Sequence, residues 1–255
     1  MYLDHVAFAT RDAGDPLRTL VGELGGTVLS GGDAIGFRSM QVFLGSDAGG
    51  MKVELLEPWA VEQNDFLERF LSRHGDGAHH LTFKVDDLEA FLQEVIDQGL
   101  TPVAVDLRDP QWREAFLLPR DAHGTVVQLA DSSYGTGKPI DEYRVAVQHG
   151  VFSAPQWWPD PPEPPADDRA TLRRVVVRTA DLAGARDLFA GLLEGRPVGE
   201  PGDDAVELEW ESGARVLLEA TPDGTTGIHR LELAGTHPRT DLGIYGTPLV
   251  VTTAP

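Results

Sequence analysis

Apolar and polar residues alternate over short stretches of this chain, and each such stretch leads into one whose apolar residues stand three and four apart. The first is Asp4-His5-Val6-Ala7-Phe8-Ala9-Thr10, reaching Asp12; the second is His79-His80-Leu81-Thr82-Phe83-Lys84-Val85, reaching Asp87. Alternation over this length predicts a strand, and the acidic residue that follows is suited to cap a helix. Leu17, Leu20, Val21 and Leu24 then share one helical face, as do Leu88, Phe91, Leu92, Val95 and Ile96. Gly25-Gly26 and Gly99 end those helices.

Three more strands follow in each case. They are predicted near Thr27–Ser30, Ile35–Leu44 and Met51–Leu56, and again near Pro102–Asp106, Arg113–Leu118 and Thr125–Ala130. Gly31-Gly32 reads as a hairpin turn between the first two. Each repeat is thus a β-α-β-β-β module. Four strands and one helix cannot cover their own inner face, so two modules are expected to pair.

A third copy opens at Arg174-Val175-Val176-Val177-Arg178-Thr179-Ala180-Asp181, with Leu188, Phe189, Leu192 and Leu193 as its helix and Arg215–Glu219 as its closing strand. A shortened fourth begins at Gly227-Ile228-His229-Arg230-Leu231-Glu232-Leu233. Little chain remains for a helix before the last strand, Pro248–Val251. Between the pairs, Pro155, Pro159, Pro161, Pro162, Pro164 and Pro165 surround Trp157-Trp158. That proline density favours extended backbone, and two indoles are too apolar to hang in water, so the connector is expected to lie against a domain. The expected division is residues 1–133, a connector at 134–168, and 169–255.

Some polar residues interrupt the strands in register with the repeat. His5 opens the first module and Glu54 stands in its closing strand, 49 positions on; His80 opens the second and Gln128 stands in its closing strand, 48 positions on. Their neighbours Val53, Leu55, Val127 and Leu129 face the opposite way, since strand side chains alternate. Paired modules would bring all four polar side chains into one concavity. Two imidazoles, a carboxylate and an amide oxygen suit a divalent metal (Zn, Ni, Co, Mn or Fe), with open positions left for a substrate. Taken singly, a strand histidine or glutamate more often packs or faces solvent; recurrence at nearly equal spacing sets these four apart. His79 points away from His80's face and is read as non-ligating. His74 and His123 are placed in loops, Glu57 past a strand end, and Asp86-Asp87 as a turn and helix cap.

Charge narrows the partners. With 21 basic and 41 acidic residues among 255, the net charge is −20, and no basic run exists to meet nucleic-acid phosphates or an anionic membrane. The absence of cysteine excludes disulfides, thiolate metal sites and a cysteine nucleophile. Met1-Tyr2-Leu3-Asp4-His5 shows no cationic segment ahead of an apolar one, and no apolar run approaches a membrane span. A cytoplasmic protein is expected. The duplication can build a site within one chain, so a homodimer is possible without being required.

With these residues in view, the chain resembles the vicinal oxygen chelate superfamily, which includes glyoxalase I, methylmalonyl-CoA epimerase, extradiol dioxygenases and bleomycin-resistance proteins. The resemblance covers Tyr2–Ser133. It is nearest the epimerase branch in Leu3-Asp4-His5-Val6-Ala7, in Val53-Glu54-Leu55-Leu56-Glu57-Pro58, in Phe66–Leu71 leading to Gly77–Asp87, and in Phe116-Leu117-Leu118-Pro119 with Gly124–Leu129. It implies an α+β fold of paired βαβββ modules forming a half-open β-barrel cup, with a second, degenerate and shortened copy at 169–255. It also implies metal ligands at His5, Glu54, His80 and Gln128, the last usually a glutamate. An amide cannot serve as a base, so a two-base epimerase is doubtful, while Glu54 can still move a proton on one face. In the degenerate copy Arg174 replaces the first histidine, Val216 or Leu217 the carboxylate, and Arg230 the second histidine, beside His229. Those arginines either face solvent or bind an anionic group.

Three functions fit this reading. The first is a metal-dependent glyoxalase- or epimerase-like isomerase or lyase that acts through an enolate on a small carbonyl or thioester substrate. The second is an Fe(II)-dependent dioxygenase using the two-histidine, one-carboxylate set. The third is a non-catalytic resistance protein that sequesters a drug or natural product in a cup lined by Trp59, Trp112 and Phe116.

Overall fold

The computed structural model describes residues 1–46, 49–132, 156–166, 169–200, 202–221 and 223–253. Most of the predicted connector, its residues 134–155 and 167–168, lies outside these residues. The first sheet contains β1 (Tyr2–Ala9), β2 (Thr27–Ala34), β3 (Gly36–Ser46), β4 (Gly49–Trp59), β5 (Gly77–Lys84), β6 (Val103–Asp106), β7 (Arg113–Leu117) and β8 (Val126–Asp131). Their spatial order is β2-β3-β4-β1-β5-β8-β7-β6. Read outward from β1 and from β5, each half runs opening strand, last strand, third, second. That is the predicted βαβββ module twice over, in a curled half-barrel sheet. The antiparallel pairs β2·β3, β3·β4, β6·β7 and β7·β8 are joined in sequence. The pair β5·β8 is parallel, and parallel neighbours need a crossover.

Helices supply crossover length. After β1 comes α1 (Gly14–Leu17), which runs on as a π-helical segment at Arg18–Glu23; after β5 comes α3 (Leu88–Asp97). Asp87 caps α3 by accepting the Ala90 N–H at 3.1 Å. Gly25 and Gly99 end the two helical stretches at φ 70° and 80°, which glycine adopts without strain.

The second sheet contains β9 (Thr171–Thr179), β10 (Arg196–Pro197), β11 (Ala205–Glu209), β12 (Arg215–Ala220), β13 (Gly227–Gly235), β14 (Arg239–Ile244) and β15 (Thr247–Thr253), ordered β10-β11-β12-β9-β13-β15-β14. Its order repeats the first with one strand fewer. The third copy keeps its helix, α4 (Leu182–Arg186), continuing as a π-helical segment at Asp187–Leu192. The fourth passes from β13 to β14 through residues 236–238 with no helix between.

Several local readings need correction. Gly31 and Gly32 are not a turn; they pair with Met40 and Ser39 inside the β2·β3 ladder. A β-carbon on Gly31 would overlap the Trp158 ring and the Ser39 carbonyl oxygen, so the glycine is there to admit an indole. Glu57 lies within β4, opposite Arg38, and ion-pairs with it. His74 ends a helix, α2 (Phe66–His74), that was not predicted. The residues that organise α2 are Leu67 and Leu71, four apart and buried against Ala7, Ala9 and Leu56, with Phe37, Phe66 and Phe70 beside them. Finally, β1 does not alternate in burial. All eight residues are buried, as expected of a strand covered on both faces.

The chain forms two compact units: Met1–His5 with His80–Lys138 and Arg174–Arg230, and Val6–His79 with Pro139–Arg173 and Leu231–Pro255. The first has an aromatic core in which Phe83 meets Trp210 edge-on at 5.1 Å and Phe189 at 6.0 Å. The Trp210 indole donates to the Leu193 carbonyl at 2.6 Å. In the second, the Trp157 indole donates to the Ser39 carbonyl at 3.0 Å and its ring takes the Arg38 guanidinium at 4.3 Å. The paired tryptophans therefore do pack against folded chain.

Candidate metal centre

His5 on β1, Glu54 on β4 and His80 on β5 each present a ligand atom, and these atoms all lie within 4.8 Å of one another. The two histidines are 1% and 3% exposed, and their rings stand edge to face at 5.8 Å. Fully buried imidazoles beside a carboxylate form a donor set of mixed nitrogen and oxygen, which fits a divalent transition metal.

The neighbours of this trio orient it. His5 Nδ1 lies 2.6 Å from Asp4 Oδ2, a contact that orients the ring. The Asp4 carboxylate is also 3.7 Å from the buried Lys84 ammonium, which lies 5.4 Å from the centre of the Trp112 ring. Glu54 faces Gln41 across the β3·β4 ladder and accepts its amide N–H at 3.3 Å.

Gln128 joins the site through Thr82. The two are register partners in β5·β8, and the Thr82 hydroxyl donates to Gln128 Oε1 at 2.6 Å while lying 2.8 Å from His5 Nε2. At its other end Gln128 donates from Nε2 to Glu114 Oε2 at 2.7 Å. Phe116 is Gln128's partner on β7 and meets the His80 ring edge-on at 5.8 Å.

The remaining candidates fall elsewhere. His79 packs on Phe70 at 4.5 Å, and burial drives its pKa down to about 4 against the opposing pull of Glu54. His74 lies on the same phenyl ring at 4.9 Å. His123 pairs with Asp181 at 3.3 Å. Trp59 is 45% exposed, with Arg38 over its ring, while Trp112 donates to Glu114 at 2.9 Å.

In the second sheet the arginines face carboxylates. Arg174 meets Glu207 at 3.0 Å, and Arg230 grips Glu219 through both terminal nitrogens at 3.0 and 2.6 Å. Arg178 is 3.6 Å from the same carboxylate. The Glu219 carboxylate thus faces two arginines, and its pKa is lowered first by the Arg230 hydrogen bonds. His229 is lowered by desolvation and by Arg178 and Arg230.

Sequence reasoning missed Asp4, Thr82, Lys84 and Glu114. The signal for Asp4 was a charged residue inside the apolar run Tyr2–Ala9; for Thr82 and Lys84 it was their standing two and four residues beyond His80. Glu114 had none, because its link to Gln128 depends on the neighbouring strand.

Residues 4–116 match the model of the Glyoxalase/Bleomycin resistance protein/Dioxygenase superfamily. The chain is 34% identical over 91 residues to the uncharacterized protein YqjC of Bacillus subtilis (strain 168); the match takes in 33% of this chain and 60% of that protein. A hypothetical protein from Staphylococcus aureus shares the fold across 99% of both chains, at TM-score 0.65 and 14% identity. Methylmalonyl-CoA epimerase of Streptomyces coelicolor, in complex with 2-nitronate-propionyl-CoA, aligns at TM-score 0.46 and 26% identity over 52% of this chain and 98% of its own. Among the described residues, no helix is long and apolar enough to cross a membrane.

Proposed function

We propose that this protein is a divalent-metal-dependent enzyme of the glyoxalase or epimerase type, moving a proton next to the carbonyl of a small carbonyl or thioester substrate. The observation that carries this reading is the approach of His5, Glu54 and His80 ligand atoms to within 4.8 Å of one another. A metal held by His5, Glu54 and His80, with Gln128 as a fourth donor, would supply Lewis-acid stabilisation of the enolate oxygen.

The chain's own residues do the rest. Glu54 is the carboxylate able to take the α-proton and return it, and the Gln41 amide steadies its Oε1. Asp4 holds His5 in one ring orientation. Gln128 cannot accept a proton at neutral pH, so transfer runs on one face, as in an isomerase or lyase. The buried surroundings of His5 and His80 keep bulk water from quenching the carbanion.

The two-histidine, one-carboxylate trio also suits Fe(II) oxygen chemistry, and the bound metal separates the two readings. Elemental analysis of untagged protein, beside a His5→Ala/His80→Ala variant, is the test. Near-stoichiometric Zn, Co, Ni or Mn in the wild type, lost in the variant, supports proton transfer. It should be accompanied by metal-dependent deuterium exchange at the α-carbon of thioesters or 2-oxo compounds, abolished in Glu54→Gln. Iron with oxygen uptake supports the dioxygenase. Protein that takes up no metal after supplementation overturns both, leaving a ligand-binding protein.

A further inference from the structure

We propose that Glu114 and Trp112 are positioning residues that turn the Gln128 amide so that its oxygen, and not its nitrogen, is presented on the His5 side. This inference rests on the metal-site reading above.

An amide has two ends of similar shape and opposite function: the oxygen can ligate a cation or accept a hydrogen bond, while the NH2 can only donate. Which end faces inward must therefore be set by the neighbours. Glu114 Oε2 lies 2.7 Å from Gln128 Nε2. An ionised carboxylate accepts and cannot donate, so it selects the NH2 end. At the opposite end the Thr82 hydroxyl, 2.6 Å away, donates to Oε1. Both contacts demand the same orientation. Trp112 Nε1 donates to the same Glu114 oxygen at 2.9 Å, which anchors the carboxylate.

The chemistry gives the arrangement a purpose. A glutamate at position 128 would present an oxygen whichever way it turned, and would add a negative charge. Glutamine reduces the charge of the donor set but requires orientation. Glu114 supplies that orientation from β7 while its own charge stays one residue removed from the cluster. The position then acts as a neutral oxygen donor held by a chain of contacts from Trp112 through Glu114, Gln128 and Thr82 to His5.

The test is metal affinity, read by competition with a chromophoric chelator on the full chain, using Zn or Co as probe. Glu114→Leu removes the acceptor, so nothing at 114 selects the Gln128 NH2 end; Trp112→Phe removes the anchoring N–H and keeps an aromatic face toward Lys84. Each is expected to weaken binding about 10- to 100-fold at unchanged one-to-one stoichiometry, the range seen when an orienting partner of a ligand is lost. In a Gln128→Ala background the Glu114→Leu change should have no further effect, because nothing is left to orient. A merely structural role for Glu114 would act in both backgrounds equally. Metal-bound wild type with unchanged affinity in Glu114→Leu, or equal losses in both backgrounds, overturns this inference alone. Wild-type protein that binds no metal overturns the metal reading and this inference with it.

Discussion

Asp4 Oδ2 lies 2.6 Å from His5 Nδ1, and neither side chain reaches solvent. The carboxylate does two things at once: it fixes the imidazole and it balances the buried Lys84 ammonium 3.7 Å away. Asp4→Asn should therefore weaken metal binding about 10-fold or more by loosening the ring. It should also cost about 3 kcal/mol of stability by removing a buried carboxylate that faces the Lys84 ammonium. Asp4→Asn/Lys84→Met should recover most of the stability and none of the affinity. Denaturant unfolding and chelator competition on the same preparations check both halves.

Gly31 tests the seating of the tryptophan pair. A β-carbon there would overlap the Trp158 ring and the Ser39 carbonyl oxygen, and the latter is backbone that cannot step aside. Gly31→Ala should destabilise by about 1–3 kcal/mol, the usual cost of overpacking. Tryptophan fluorescence should shift to the red as Trp158 is displaced. Gly32→Ala, where the space is open, should leave the fluorescence unchanged.

The pH dependence of stability has a contributor in His79. Its folded-state pKa is about 4 against 6.5 for the free side chain, chiefly through desolvation. The stability it contributes is fully present above about pH 6.5. As pH falls toward 4 the unfolded chain binds a proton that the folded state refuses, and that stability is lost. Below about pH 4 both states are protonated and the loss levels off. Between pH 7 and pH 5 the loss should be about 1–2 kcal/mol. Urea unfolding of metal-stripped protein at both pH values measures it, and His79→Gln should flatten the difference.

Trp210 is buried, and its indole N–H satisfies the Leu193 carbonyl at 2.6 Å. Trp210→Phe keeps most of the packing against Phe83 but strands that carbonyl, and should cost about 1–3 kcal/mol. Trp210→Ala opens a cavity as well and should cost about 3–5 kcal/mol. Because Phe83 lies between Thr82 and Lys84 on β5, the alanine variant is also expected to weaken metal binding, measured by chelator competition. The phenylalanine variant should affect binding much less.

The amino-acid sequence by itself determined the modular repeat, the strands that open and close each module, the cap at Asp87, and the spacing that singles out His5, Glu54, His80 and Gln128. All of these depend on the period of side-chain direction along a strand or helix, and that period is written locally. Burial was not written there. Tyr2–Ala9 reads as a strand with one wet face, yet it lies buried at every position because other chain segments cover both sides. Glycines at 31 and 32 read as a turn until an indole more than a hundred residues away occupies the space above one of them. The contacts that orient the site join residues 46 and 77 positions apart, Thr82 to Gln128 and Thr82 to His5. Only the tertiary structure decided them, because the direction of a hydrogen bond is set by whichever group the folded chain places opposite, and no local pattern records its neighbour across the sheet.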